Sequence, residues 1–270
     1  MIKQIEFIKM VASGNDFVII ENRKEQISNH RLSLLAKQMC DRKYGIGADG
    51  LLVLEKSKKA DIKMRIFNPD GSEPQMCGNG IRCVALYSTK NRIRVETKAG
   101  IIEAEINKDK AQVKVRMSQP KDIRLDSPIK IGERKIKVNL VNTGVPHAVI
   151  FVEGLDKIDV VNIGRQIRFH KKFLPEGTNV NFVQIIDNNN IKLRTYERGV
   201  ESETLACGTG TVAAALLCVT RDPQPVARRI NVHTKGGEVL RVEFHRVNGN
   251  FNDIWLEGKV RIVYSGVYNV

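Results

Sequence analysis

The sequence predicts a mixed α/β protein of the α+β type, built as two homologous, pseudo-twofold-related domains, each a mostly antiparallel sheet wrapped around a central buried helix. Three observations predict it: an internal repeat through most of the chain, short alternating strands joined by turn residues, and in each half one helix that is apolar nearly all round. The 270 residues suit about two compact domains, and a hydrophobic content of 42% supplies their cores.

The repeat is clearest at CGNGIRCVAL, residues 77–86, and CGTGTVAAAL, residues 207–216, separated by 207 − 77 = 130 positions. The same step sets Ser13-Gly14 on Thr143-Gly144, Gly47 on Gly177 and Ser72-Glu73 on Ser202-Glu203. With small changes of step, residues 62–65 match 191–194 and residues 92–100 match 229–237. The expected halves are 1–120 and 121–262, with the Pro-containing segment Ser118 to Pro128 as the link, and features at the same relative place in each half are expected to face one another across an interface.

Element by element, strand-like alternation appears at 3–9, 51–55, 61–67 and 92–97, with turns at Lys56 to Ala60 and Lys108-Asp109-Lys110. In the second half it appears at 147–152, 181–186, 191–196, 229–234 and 238–245, with turns at Asp187 to Asn190 and Asn248-Gly249-Asn250. Strands joined by short loops should pair antiparallel. One helix starts after Ser28, with Leu32, Leu35, Ala36 and Met39 on one face, and its counterpart starts after Asp159. A second helix begins at each Cys-Gly-x-Gly and is apolar enough to be buried by its own sheet.

Composition excludes several classes. No apolar stretch approaches the roughly 20 residues of a membrane span, and the alternating first residues read as a strand rather than a signal peptide. Five cysteines in a chain this long are too sparse and odd in number for a secreted disulfide framework, which points to a reducing cytoplasm. Their spacings match no zinc pattern and the five histidines are scattered, so no protein-bound metal is expected. The net charge of +14 would suit a nucleic-acid binder, yet the basic residues spread along the chain without interleaved aromatics, as in Lys56-Ser57-Lys58-Lys59, Arg92/Arg94 and Arg228-Arg229. A solvated basic surface, with no nucleic-acid partner, is the simpler reading.

The duplicated cysteines carry the chemistry. A cysteine heading a buried helix lies among unpaired N–H groups at the positive end of the helix dipole, which favours thiolate over thiol. The flanking glycines let amides approach an anion, so the same helix end is a receptor for a carboxylate. Cys77 and Cys207, one as thiolate and one as thiol, supply the base and acid that invert a stereocentre by proton exchange on opposite faces of a carbon. No nucleotide or phosphate-cradling glycine motif accompanies them, so a cofactor-free racemase or epimerase acting at an amino-acid α-carbon is what these residues suggest. A redox disulfide is the alternative for this pair, although a Cys-x-x-Cys arrangement is lacking; Cys40, Cys83 and Cys218 read as small buried hydrophobes.

Gly14-Asn15-Asp16-Phe17-Val18, Gly45-Ile46-Gly47-Ala48-Asp49-Gly50, Phe67-Asn68-Pro69-Asp70-Gly71-Ser72, Met76-Cys77-Gly78-Asn79-Gly80, Pro146-His147, Thr178-Asn179-Val180, Tyr196-Glu197-Arg198-Gly199 and Ala206-Cys207-Gly208-Thr209-Gly210 together resemble the diaminopimelate epimerase family. The resemblance covers nearly the whole chain. It implies reversible conversion of LL- to meso-diaminopimelate without metal or cofactor, in lysine and cell-wall precursor synthesis, by a cytoplasmic enzyme that usually dimerises. It also implies that residues from about 263 to 270 return to the first domain. Cys77 and Cys207 look like its two acid/base thiols, with His147 and Glu197 beside them contacting the substrate ammonium or positioning a thiol. Gly78, Asn79, Gly208 and Thr209 would face the reacting carboxylate, while Asn15, Asn68, Asn179, Glu197 and Arg198 would hold the substrate's charged ends.

Two positions depart from the familiar motif: Gly50 where a Gln often follows Gly-Ala-Asp, and Val145 where an Asn often precedes Pro-His. Each removes a polar group that could read the far end of the substrate, so looser specificity is expected there. Proline racemase or hydroxyproline epimerase is the alternative within the same fold, although those enzymes typically carry His where Asn79 stands.

Overall fold

The computed structural model describes residues 4–23, 27–88, 90–107, 109, 111–221, 229–247 and 249–270. Lys3 of the first expected strand, the turn at Lys108 and Lys110, Arg228 and the turn residue Asn248 lie outside the described residues. The chain divides into two compact units, Met1–Val115 with Gly258–Val270, and Arg116–Glu257.

In the first unit the order along the chain is β1 (Gln4–Ala12), β2 (Asn15–Glu21), α1 (Asn29–Cys40), β3 (Gly50–Glu55), β4 (Ile62–Phe67), α2 (Gly78–Tyr87), β5 (Arg92–Thr97), β6 (Gly100–Asn107) and β7 (Gln112–Arg116). The second unit continues with β8 (Lys121–Ile131), β9 (Arg134–Asn142), β10 (Pro146–Phe151), α3 (Val160–Arg168), β11 (Asn179–Asp187), β12 (Asn190–Glu197), β13 (Ser202–Thr204), α4 (Gly208–Arg221), β14 (Arg229–Thr234), β15 (Val239–Val247) and β16 (Asn250–Lys259). The last strand, β17 (Arg261–Asn269), pairs antiparallel with β1.

The first sheet runs β17-β1-β2-β3-β4-β5-β6-β7, antiparallel except for the parallel pairs β2–β3 and β4–β5. The second runs β8-β9-β10-β11-β12-β14-β15-β16, antiparallel except for β10–β11 and β12–β14, with the short β13 also on β12. The two runs of pairings are the same, so the repeat is one topology used twice. Strands joined by short turns pair antiparallel as expected, whereas a strand leading into a helix meets the strand after that helix in parallel, because a crossover is long enough to return the chain to the same end.

Segment 118–128 is not a bare link. Residues from Lys121 onward form β8, which zips onto β9 with register shifts between Lys121 and Arg124 and between Arg124 and Ser127. Asp122 and Asp126 adopt positive φ near those shifts, the signature of bulges that let a Pro-bearing sequence run as an outer strand.

Helix α1 buries Leu32, Leu35, Ala36 and Met39, the stripe read from its period, and α3 is capped by Asp159, whose carboxylate accepts from Asn162 N at 3.1 Å. Helix α4 is enclosed over Gly210–Leu217 by apolar residues of β9 to β16. Alternate residues of β10 to β12 face opposite sides: Val149, Val183 and Leu193 pack toward α4, whereas Ala148, Phe182 and Tyr196 pack toward α3. Burying each Leu or Val side chain of α4 contributes about 1.5–3 kcal/mol, which holds the cysteine-bearing end in a rigid setting. Among the described residues no helix is long and apolar enough to cross a membrane.

Candidate active site

At the head of α2, Cys77 occupies the N-cap position in extended backbone, and its carbonyl accepts from Ile81 N at 2.9 Å to open the helix. Its half-buried Sγ donates to Asn15 Oδ1 at 3.9 Å. Asn15 Nδ2 donates to Asp49 Oδ2 at 3.0 Å. A carboxylate only accepts, so this bond fixes the amide with its oxygen toward the sulfur. Asp49 also accepts from Asp16 N, and Asp16 is gripped by Lys9 at 2.6 Å and Arg42 at 2.8 Å. Burial opposes ionisation of Asp16, but the Arg42 and Lys9 hydrogen bonds outweigh it and hold the carboxyl well below the usual range. Burial first, then the Asp16 carboxylate, push Asp49 up.

Asn79, in the first turn of α2, accepts at Oδ1 from Arg82 Nη2 at 2.6 Å, and the same nitrogen donates to Ser13 Oγ at 2.7 Å. Arg82 is 0% exposed, so the one charged residue in an otherwise apolar helix lies inside the unit and ties the Ser13 turn to the helix end. Gly78 has open space where a Cβ would lie. Asn68 donates to Ser72 Oγ at 2.9 Å in its own turn.

The head of α4 is built differently. Cys207 is 7% exposed, and its carbonyl accepts from both Thr211 N and Thr211 Oγ1 at 2.8 Å. Its Sγ lies 3.6 Å from Thr209 Oγ1, and the Thr209 carbonyl accepts from Thr143 Oγ1 at 3.0 Å. A Cβ on Gly208 would meet Leu256 at 3.1 Å, and one on Gly210 would meet Asn181 Oδ1 at 2.4 Å. Only glycine at 210 lets the helix rest on Asn181.

Beneath α4 a buried polar line runs through β12, β11 and β10. Thr195 Oγ1 donates to Asn181 Oδ1 at 2.9 Å, and Asn181 Nδ2 lies 3.0 Å from His147 Nδ1 and 3.3 Å from the Ala148 carbonyl. Burial, with the nearby Arg198 charge, pushes the His147 imidazole down to about 3. Asn179 donates to the Pro146 carbonyl at 3.2 Å and accepts from Arg198 N at 2.9 Å, tying β10 to the turn that presents Glu197 and Arg198. The Arg198 fork donates to the Glu176 carbonyl at 3.2 Å. Burial pushes the Glu197 carboxyl up, only partly countered by a hydrogen bond from Thr204 Oγ1 at 2.9 Å. His147 and Glu197 therefore have separate partners rather than each other.

The sequence reading missed Asp49, Arg82, Thr195 and Asn181. The one signal for Asn181 was a polar residue at an inward position of the apolar strand Val180-Asn181-Phe182-Val183. Cys40 and Cys83 are buried; burial pushes the Cys40 thiol up to about 12 and raises that of Cys83 as well.

The family model described as diaminopimelate epimerase matches residues 7–123 and 139–263. The chain is 40% identical to a diaminopimelate epimerase of Aquifex aeolicus over 97% of each chain, and 42% identical to one of Methanocella arvoryzae over 99% of this chain and 98% of that one. Among solved structures, a phenazine biosynthesis protein of the PhzF family from Bacillus anthracis superposes with a TM-score of 0.74 over the full length of both chains at 16% identity. A hydroxyproline epimerase from Agrobacterium vitis superposes at 0.69, over 99% of this chain and 93% of that one, also at 16% identity. At such identities the likeness is one of fold.

Proposed function

Because the chain belongs to the diaminopimelate epimerase family, a family of isomerases, we propose that it interconverts LL- and meso-diaminopimelate with Cys77 and Cys207 as the exchanging acid and base. One thiolate takes the α-proton and leaves the C–H electron pair on the substrate as a carbanion delocalised into its carboxylate. The other thiol delivers its proton to the opposite face, so the two sulfurs end with their protonation states exchanged. No metal or organic cofactor takes part in this reading.

The observation that carries the proposal is the repeated helix head: each unit has a cysteine immediately before a helix that opens with Gly-x-Gly. Backbone N–H groups at such an end stabilise charge growing on a carboxylate as the α-proton leaves. Gly78, Asn79, Gly208 and Thr209 would serve that carboxylate. Asn15, Asn68, Asn179, Glu197 and Arg198 would hold the remaining ammonium and carboxylate groups, the planar Arg198 fork being suited to a carboxylate. The same reading places the enzyme in lysine and peptidoglycan-precursor synthesis, as a cytoplasmic homodimer.

The test is incubation of purified protein with LL-diaminopimelate in deuterated water. Meso product labelled at the inverted α-carbon is expected, and Cys77→Ala or Cys207→Ala should abolish interconversion. A Cys77→Ala/Cys207→Ala double variant with wild-type turnover would overturn the assignment.

A further inference from the structure

The geometry points to Asn181 as a positioning residue that locks His147 with its proton on Nε2, so that His147 serves the reaction as a hydrogen-bond donor to an anionic acceptor and never as a base. This rests on the epimerase reading for its catalytic meaning, while the tautomer itself is a property of the fold.

The orientation of the Asn181 amide is set by its neighbours. The Ala148 carbonyl, 3.3 Å away, can only accept, so the atom facing it is the NH2 group. A flipped amide would oppose two oxygens there, whereas the Thr195 hydroxyl, which can donate or accept, donates to the Asn181 oxygen 2.9 Å from it in the orientation the Ala148 carbonyl selects. The second N–H of the same group therefore points at His147 Nδ1, 3.0 Å away. Nδ1 must present its lone pair, and a neutral imidazole then carries its hydrogen on Nε2. His147 is 1% exposed, Asn181 0% and Thr195 2%, so water does not compete for these bonds.

Nε2 is buried and has no hydrogen-bond partner among the described residues. A buried donor left in that state is costly unless an acceptor arrives, and the family's reaction brings anions, a substrate carboxylate or an ionised thiol. Burial keeps the ring neutral, and Arg198, the charged group acting on it, disfavours protonation further. Asn181 also supports the first turn of α4 beneath Gly210, so the residue that sets the histidine also seats the helix headed by Cys207. The corresponding place in the first unit holds Leu52, whose Cδ2 lies 3.1 Å from the Cβ position of Gly80; no such relay exists there.

The experiment is nitrogen-15 NMR of histidine-labelled wild-type protein, with kinetics on four variants. His147 should show an unprotonated Nδ1 and a protonated Nε2, without titrating between about pH 5 and about pH 8. Asn181→Asp, which replaces the donor by an acceptor, should move the proton to Nδ1 and lower kcat at least about tenfold. His147→Gln, whose amide can donate near the Nε2 position, should retain at least about tenfold more activity than His147→Asn. A loss in kcat at constant KM identifies a thiolate as the acceptor, and a rise in KM identifies the substrate carboxylate. Nδ1 protonated in the wild type would overturn the inference, as would Asn181→Leu leaving both tautomer and rate unchanged. If the wild-type tautomer is as stated but no α-proton exchange occurs, the epimerase reading falls and the lock stands. If exchange occurs with the opposite tautomer, the lock falls and the epimerase reading stands. Should Asn181→Leu fail to fold, the wild-type spectrum and the Gln/Asn pair at 147 still decide.

Discussion

Helices α2 and α4 occupy matching places in two sheets of the same topology, yet what lies under them is chemically opposite. Phe17 pairs with Gly50 and Leu52 with Ile66 in the first unit, where the same registers in the second pair His147 with Asn179 and Asn181 with Thr195. The floor of α2 is thus Phe17, Leu52 and Ile66, and that of α4 is His147, Asn181 and Thr195. Within the helices the contrast reverses: the fifth residue after the cysteine is buried Arg82 in α2 and buried Val212 in α4. Ser13 reaches Asn79 through that guanidinium, whereas Thr143 bonds the Thr209 carbonyl directly. Duplication preserved backbone pairing, and each half then placed its buried polar groups where the other kept hydrocarbon. Two helix ends that look alike in sequence accordingly give their thiols unlike surroundings.

The contrast can be broken most forcefully at Arg82. Arg82→Met strips the buried Ser13 Oγ and the half-buried Asn79 Oδ1 of their donor and should cost about 3 kcal/mol of unfolding free energy in urea titration. Val212→Ala at the matching place should cost about 2 kcal/mol, as a simple cavity. Equal losses would show that the guanidinium acts only as filler.

Acid sharpens the comparison next. The His147 imidazole ionises near 3 in the fold against a usual 6.5, so between those values the unfolded chain binds the extra proton. Stability is then full above about pH 6.5 and declines as pH falls toward about 3, with about 3 kcal/mol lost by pH 4. Phe17 contributes no such slope, and His147→Gln should flatten the profile measured by denaturant titration.

Activity should respond to the support of Asn15 as well. Asp49→Asn leaves the Asn15 amide facing a group that can donate or accept, so its oxygen is no longer fixed toward Cys77; kcat should fall about tenfold, without a comparable change in melting temperature. Thr143→Val removes one hydroxyl donor from the Thr209 carbonyl and should cost about 1 kcal/mol in the same urea assay.

The smallest effect concerns Gly50, in register with Phe17 as Asn179 is with His147. A Cβ there would lie 3.1 Å from the Phe67 carbonyl and 3.4 Å from the Phe17 ring. With no side chain reading the substrate from this place, a shorter amino diacid should turn over within about tenfold of diaminopimelate; strict rejection would show that other groups supply the selectivity.

Much of this architecture was readable in advance because it depends on local pattern. The stripe of α1, the apolar run of α4 and the strands β4, β5 and β14 follow period and turn chemistry, and the two cysteines announce themselves by repetition. What escaped depends on registry between distant segments. Strand β8 was hidden by its proline and by aspartates that look like loop residues until β9 supplies the bulged ladder. Strand β2 has Phe17 to Ile20 all buried and therefore lacks the alternation that marks a half-exposed strand. Arg82 lies in a helix whose composition reads as apolar nearly all round, and Asn181 and Thr195 read as ordinary strand residues because only cross-strand pairing sets those two beside one another.

The pairing of β17 with β1 bears on how the chain is made. Every strand of the second unit leaves the ribosome before β17 does, so the opening strand must wait through most of synthesis for the neighbour that covers its outer edge. Co-translational folding should therefore finish in the second unit first, and a released chain truncated before residue 261 should expose β1 to proteases or chaperones while β8 to β16 are protected.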